Sequence, residues 1–336
     1  MDLITLEHLS KEFKVLNRRE GLRGSIKDLF SRDYGYVSAV NDLSLQVEEG
    51  EIVGFLGPNG AGKSTTIKMM TGVMFPTSGM VQIGGIDPFK KRREFSKNVG
   101  VVFGQRSQLW WELPVIESFR LLKEVYRISD EEYKKNMQMF DEIVDIQKFL
   151  HTPVKNLSLG QRMLCEIIGA LIHSPKLLFL DEPTIGLDVV IKSKIRDLIK
   201  NLNQRQKITV ILTSHDIGDI DALCKRIAII DHGSLIYDGN IERVKAIYGG
   251  YRTLKAKLED GQSIEEFMQK INNKFGEGVY ISEGDERWVN VEVFIGKVEA
   301  LQVMNYIMEA GNIKDIKSED ISTESIVKKI YEGNGQ

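Results

Sequence analysis

At 336 residues, with 42% hydrophobic and 28% charged side chains and a formal net charge of −3, the chain is long enough for about two soluble domains, and no basic excess points to nucleic acid. Its two cysteines, Cys165 and Cys224, stand in apolar, helix-like contexts without the paired spacing of a zinc or redox site, which fits a reducing, cytoplasmic setting. The opening MDLITLEHLSKEF carries charges where a signal peptide needs an apolar run, and no stretch approaches the roughly 20 apolar residues that span a bilayer.

Residues 1–13 and 37–56 read as strands: ITLEHL and LSLQV alternate apolar and polar positions, and IVGFL is a buried run. Between them, residues 14–36 form an insertion. Lys14, Arg18, Arg19, Arg23, Lys27 and Arg32 outnumber Glu20, Asp28 and Asp33 there, while Leu22, Ile26, Leu29 and Phe30 fall at helical spacing. A short basic amphipathic helix is expected, either packed on its own domain or laid against anionic headgroups or a partner. A Gly-rich stretch, GPNGAGKST, precedes a helix running toward Thr71, and the strand VGVVF leads into GQRSQLWWELP, which fits neither a helix period nor a strand alternation.

From Pro114 to about Leu150 the pattern is helical, with Ser129 and Glu132 as a capping box opening the second helix. After Pro153 helices and strands alternate: helix GQRMLCEIIGALIH, strand KLLFL, helix VVIKSKIRDLIKNL, strand ITVILT, helix DIGDIDALCKRI, strand IAIID. That alternation predicts an α/β domain with a parallel sheet. Past Gly249 and Gly250 the order becomes strand, helix, strand, strand, helix, strand, followed by a last helix in STESIVKKIYEG. This is the order of a split, ferredoxin-like α+β unit over residues 251–336.

The residues Gly57, Pro58, Asn59, Gly60, Ala61, Gly62, Lys63 and Ser64 match G-x-x-x-x-G-K-[ST] between a strand and a helix, and Thr65 continues the same loop-to-helix start. In that setting the backbone N–H groups face phosphates, Lys63 reaches the β- and γ-phosphates, and Ser64 is a ligand for Mg²⁺. A plain Gly-rich turn is the bland alternative, and the full eight-residue match outweighs it. About 120 residues later, LLFLDEP ends an apolar strand in Asp181 and Glu182. Alone such a pair is a solvated loop or a helix cap. Beside a phosphate loop, Asp181 can hold the Mg²⁺ shell and Glu182 can polarise a water for in-line attack.

Over residues 1 to about 248 the chain resembles the ATP-binding cassette family, and specifically the ATPase subunit of a transporter. Asn156-Leu157-Ser158-Leu159-Gly160-Gln161 is similar to the family signature Leu-Ser-Gly-Gly-Gln, with Leu159 in place of the first glycine. Read from the residues alone, Ser158 and Gln161 form a capping box at a helix start; the two readings agree if Ser158 and the Gly160 amide are exposed to phosphate. Gly186-Leu187-Asp188 resembles the D-loop that crosses to a partner subunit, and Thr213-Ser214-His215-Asp216 the switch-histidine loop. The resemblance makes His215 a contact to the γ-phosphate and attacking water, and Gln105 the Q-loop residue that touches Mg²⁺ or that water. It also asks for an aromatic against adenine, for which Phe13 fits by position and Tyr36 is a rival.

The fold implied is an α/β P-loop NTPase cassette with a mixed, mainly parallel sheet: an ATP-binding domain over 1–248, a helical subdomain at about 106–165, and the ferredoxin-like accessory domain over 251–336. The function implied is ATP binding and hydrolysis, with ATP and Mg²⁺ at two composite sites between two such subunits, expected as a homodimer. The work drives an exporter through a separate ABC-2-type permease docked near Gln105–Trp111, so the subunit lies peripherally on the inner face of the membrane. Trp110 and Trp111 are expected to divide the tasks, one anchoring the loop and one facing the permease. Alternative readings are a cassette ATPase serving translation or DNA, which one phosphate loop and no sustained heptads disfavour, and a regulatory module without hydrolysis, which Glu182 and His215 disfavour. For the accessory domain, dimerisation and regulation are expected by analogy of fold.

Overall fold

The computed structural model describes residues 2–16, 34–104, 107–214, 217–248, 251–294 and 296–320. Gln105, His215, the middle of the basic insertion with Arg18, Arg19 and Arg23, and the helix expected in STESIVKKIYEG therefore lie outside the described residues. The chain divides into two compact units, Met1–Gly239 and Asn240–Gln336, so the division falls ahead of the boundary expected near residues 248–251.

In the first unit two sheets enclose one helix. Strands β1 (Asp2–Leu16), β2 (Tyr34–Glu48) and β4 (Ser78–Ile83) form an antiparallel sheet in the order β2-β1-β4. Strands β3 (Ile52–Leu56), β5 (Val99–Phe103), β6 (Leu177–Asp181), β7 (Thr209–Thr213), β8 (Arg226–Asp231) and β9 (Ser234–Asn240) form a second sheet in the order β5-β6-β7-β3-β8-β9, parallel from β5 through β8. Helices and sheets cover the parallel strands on both faces, which is why LLFL and TVILT are continuous apolar runs with every residue buried. The helix Lys63–Met70 packs against β2 and β4 on one side and β6 on the other. Its Ile67, Met69 and Met70 join Ile4, Leu6, Phe55 and Phe179 in the core.

The ends of the basic insertion are strand rather than helix. Lys14, Val15 and Leu16 pair with Tyr36, Gly35 and Tyr34, extending the β1–β2 ladder into residues assigned from sequence to the insertion. The apolar periodicity there spans Leu22 to Phe30 and says nothing about the flanks, which follow the ladder they continue.

The helices Val115–Tyr126 and Asp130–Val144 fill the expected helical subdomain, and Ser129 Oγ accepts the Glu132 N–H at 3.2 Å as the cap of the second. A third helix, Leu159–Leu171, buries nearly all of its residues and continues beyond residue 165.

The second unit contains β10 (Tyr251–Leu258), helix Ile264–Phe275, β11 (Val279–Glu283), β12 (Trp288–Phe294), helix Ala300–Ala310 and β13 (Ile313–Asp320), with the helix Ile241–Tyr248 ahead of them. Its antiparallel sheet runs β11-β12-β10-β13, the strand order of a split βαββαβ unit. Leu254, Val291, Phe267 and Ile307 centre a core of its own.

Candidate functional site

The predicted phosphate-binding residues converge at the carboxyl-terminal edge of the parallel sheet, where ligands bind in open α/β folds. The loop after β3 turns into the helix at Gly62, whose φ of +105° and whose distance of 2.4 Å from an added Cβ to the Ala39 carbonyl oxygen admit only glycine. The helix start has no side-chain cap, so its first N–H groups are left for an anion. Lys63 is buried, and its Nζ donates to the carbonyls of Gly57 at 2.6 Å and Pro58 at 3.1 Å. Burial pulls the Lys63 ammonium below its usual range, while Glu182 and Asp181 nearby push it back up.

Asp181, the last residue of β6, lies in register with Phe103 of β5 and Thr213 of β7. Its Oδ1 accepts from Ser64 Oγ at 3.0 Å and from Thr213 Oγ1 at 2.7 Å. The Thr213 hydroxyl in turn accepts the Glu182 N–H at 3.0 Å, and the Thr213 carbonyl lies 3.2 Å from that same nitrogen. These contacts hold Glu182 at φ 54°, in the left-handed region that a non-glycine residue occupies at a cost of order 1–3 kcal/mol. A strained carboxylate fixed by its surroundings is a common feature of a reaction centre. Thr213 is fully buried; the sequence marked it only as the first residue of the switch-histidine loop, not as a contact of the acidic pair, and its place at the strand end was the available signal.

Two cavities meet here. One, of about 470 Å³, is lined by Asn59–Thr65 with Ala39, Glu182 and Ile185. The other, of about 460 Å³, is lined by Ser64, Lys68, Phe103, Gly104, Asp181 and Glu182, among others. Gly104 donates its N–H to the Asp181 carbonyl at 3.1 Å, and an added Cβ would sit 3.0 and 3.1 Å from the Asp181 and Glu182 carbonyl oxygens. The chain thus enters Gln105 from a backbone already touching the acidic pair.

Ala39 also bears on the adenine question. It lines the cavity at the phosphate loop and falls where the β1–β2 register shifts, between Lys11–Val40 and Glu12–Ser38; beyond the shift Phe13 pairs with Val37. Tyr36 pairs with Lys14 and is 67% exposed.

The signature residues lie elsewhere. Ser158 is exposed and caps the helix Leu159–Leu171: its Oγ accepts the Gln161 N–H at 3.2 Å, and its own N–H donates to Gln161 Oε1 at 2.9 Å. The Gln161 side chain is thus engaged in the cap. The residue expected to be exposed with Ser158 is not: Gly160 is buried, and an added Cβ would lie 2.8 Å from Ile191 Cγ2. Glycine is needed there for close packing on the helix Val189–Gln206, whose N-cap is Asp188, with its carboxylate accepting the Ile191 N–H at 3.0 Å. Leu159 points away from that contact, 44% exposed, its Cδ2 within 3.4 Å of a Cβ placed on Gly186. Neither cavity at the phosphate loop is lined by Ser158 or Gly160.

The tryptophans do not divide their tasks as expected. Trp110 is 43% and Trp111 48% exposed, and the side chain that anchors the loop is Leu109 at 5%. Leu109 packs against Gly169, where the absence of a side chain makes room, while the Trp111 ring lies 5.3 Å from the Arg162 guanidinium carbon.

The family profile described as "ABC transporter" matches residues 40–185. The chain is 34% identical over 206 residues to the ABC transporter ATP-binding protein NatA of Bacillus subtilis, covering 61% of this chain and 83% of that protein. It is 31% identical over 245 residues to the methionine import ATP-binding protein MetN 2 of Enterococcus faecalis, covering 72% of this chain and 66% of the relative. Among solved structures, a dimeric ATP-binding cassette in a post-hydrolysis state bound to ADP and Pi aligns with a TM-score of 0.58 and 27% identity over 70% of this chain and 98% of that one. The phosphate loop, the strand-end carboxylates and the capped signature helix stand in one cassette fold, and with these likenesses the chain belongs to the ATP-binding cassette family of ABC transporters as an ATP-hydrolysing subunit.

Proposed function

We propose that two copies of this chain bind ATP at composite sites and that the resulting closure and reopening drive export through a separate ABC-2-type permease. The observation that carries the composite site is the separation just described: one chain gathers Lys63, Ser64, Asp181 and Glu182 at the phosphate loop, whereas the exposed Ser158 borders neither cavity there. A second subunit would supply it. Exposed apolar side chains stand beside both places, Leu159 at 44% next to Ser158 and Ile185 at 49% lining both phosphate-loop cavities, with Val189 and Val190 exposed by 81% and 66% at the start of the helix Val189–Gln206, as surfaces covered by another protein would be. The dimeric state of the solved cassette supports the same arrangement.

In this reading Gly57–Thr65 cradle the phosphates, Lys63 exchanges its loop carbonyls for phosphate oxygens, and Phe13 stacks on adenine. Glu182, set by Thr213, accepts a proton from the attacking water, and His215 contacts the γ-phosphate. Asp188 borders the signature and faces the partner. The hydroxyl of Ser64 and the carboxylate of Asp181, 3.0 Å apart, are the hard oxygen donors that Mg²⁺ takes, and Gln105 would complete this chain's share. When bound, the ion neutralises charge on the β- and γ-phosphates.

The half-exposed Trp110 and Trp111 lie a few residues past Gln105 and supply aromatic surface for the permease. Among the described residues no helix is long and apolar enough to cross a membrane, which is consistent with a separate membrane subunit. The direction of transport is tested in inverted membrane vesicles holding this chain and its ABC-2-type permease. MgATP-driven accumulation of substrate inside them supports export, and MgATP-driven loss of preloaded substrate rejects it.

A further inference from the structure

Eleven residues of loop join β5 to the helix Val115–Tyr126, and one buried carboxylate holds the start of that loop. Glu166 is 4% exposed in the middle of the helix Leu159–Leu171. One of its carboxylate oxygens accepts from the Ser107 hydroxyl and the other from the Gln108 N–H at 3.0 Å. The contact is returned: Gln108 Nε2 donates to the Glu166 backbone carbonyl at 2.7 Å. Ser107 Oγ also accepts the Leu109 N–H at 3.2 Å, which closes the loop on itself. Three residues along the helix, on the same face, Gly169 leaves the space that Leu109 and Gln108 occupy. Four residues back, Arg162 underlies Trp111, and four before that stands the cap Ser158.

A buried acid costs several kcal/mol unless it is hydrogen-bonded, and the partners that satisfy Glu166 are Ser107 and Gln108 of this loop. Burial pushes the pKa of Glu166 up from the ordinary carboxylate value, and the hydrogen bonds from Ser107, Gln108 and Leu109 oppose that rise.

We propose that Glu166 is a positioning residue for the γ-phosphate-sensing loop: by gripping Ser107 and Gln108 it fixes the chain that leaves Gln105, so that this loop and the helix capped by Ser158 move as one body. The consequence is a rigid link between the site this subunit holds at its own phosphate loop and the site it completes for its partner. The inference rests on the reading of Gln105 and Ser158 as phosphate contacts.

The test is MgATP hydrolysis by the purified full chain carrying Ser107→Ala, Glu166→Gln, both together, Ser107→Thr, and Gln105→Ala. Ser107 is exposed, so its truncation leaves folding intact even if Glu166→Gln does not fold. Ser107→Ala and Glu166→Gln are each expected to lower kcat about tenfold, the effect of losing one hydrogen bond to a charged group, with KM for MgATP changed less than about threefold. The double variant should be no slower than the worse single one, because both remove the same grip. Ser107→Thr, which keeps the hydroxyl, should restore at least half of the wild-type kcat. Wild-type kcat in Ser107→Ala, or losses that multiply in the double variant, overturn the proposal. If Gln105→Ala lowers kcat while the grip variants do not, only this inference falls; if Gln105→Ala itself hydrolyses ATP at the wild-type rate, the underlying reading falls with it.

Discussion

Thr213 shows how much one hydroxyl can organise: it donates to Asp181 and accepts from the Glu182 N–H, so the two acidic residues share one buried reference point. Thr213→Val, nearly isosteric, leaves the Glu182 N–H without that hydroxyl acceptor. It is expected to cost about 1–3 kcal/mol in stability and to lower kcat more than KM rises, measured by denaturant unfolding and steady-state kinetics. Lys63→Ala removes the one ammonium inside the phosphate loop and should weaken MgATP binding at least tenfold by calorimetry; full affinity in that variant would overturn the site assignment.

His173 acts on stability rather than chemistry. Its ring stacks on Tyr126 at 3.8 Å, its Nε2 meets the Val99 carbonyl at 3.2 Å, and its Nδ1 has no partner among the described residues. Burial lowers its pKa from 6.5 to about 4, so the folded chain keeps the ring neutral where the unfolded chain protonates it. The resulting stabilisation is complete above pH 6.5 and is lost as the pH falls toward 4. His173→Phe, which keeps the stack, should flatten that part of the melting-temperature profile.

At the scale of elements, the helix Leu159–Leu171 carries the most information per residue. Its amino end presents Ser158, Gly160 lets it close on the helix Val189–Gln206, and Glu166 and Gly169 hold the loop that follows β5. Gly160→Ala would drive a Cβ to 2.8 Å from Ile191 Cγ2, and overpacking of this kind costs typically about 1–3 kcal/mol. Ile191→Ala in the same chain, which removes both γ-carbons, should recover part of that loss in thermal unfolding, whereas Ile191→Val, which keeps them, should not. The loop after β5 gives the complementary case: Leu109→Ala is expected to cost about 2–5 kcal/mol, whereas Trp110→Ala and Trp111→Ala should stay within about 1 kcal/mol, because only Leu109 is buried. If the aromatic pair serves the permease, the tryptophan variants lose transport while keeping basal ATP hydrolysis.

At the scale of the molecule, the proposed composite site predicts a dimer that forms on ATP. Glu182→Gln, which binds ATP but removes the base, should accumulate as an ATP-dependent dimer in size-exclusion chromatography, and Ser158→Arg in the same background should return it to monomer. A Glu182→Gln chain that stays monomeric at saturating ATP would count against the composite site. The accessory unit has a separate core and its own four-stranded sheet, so substitutions at Phe267 or Ile307 are expected to lower the unfolding midpoint of that unit without altering ATP hydrolysis.

The sequence by itself determined the parts that depend on local pattern. The run GPNGAGKST, the apolar strand ending in Asp181 and Glu182, and the Ser158-Gln161 cap are each contiguous, so their spacing alone names their chemistry. The alternation of strands and helices likewise revealed the fold and the βαββαβ unit, because a two-residue and a 3.6-residue period are visible within one element. Only the tertiary structure decided contacts between residues far apart in the chain. Thr213 meets Asp181 across 32 positions, Glu166 meets Ser107 across 59, and Gly160 meets Ile191 from a different helix. No local period encodes which buried polar group finds which partner, or which member of an aromatic stretch is drawn inward. Leu109 rather than either tryptophan is buried because the facing helix leaves a gap at Gly169 that fits an aliphatic side chain.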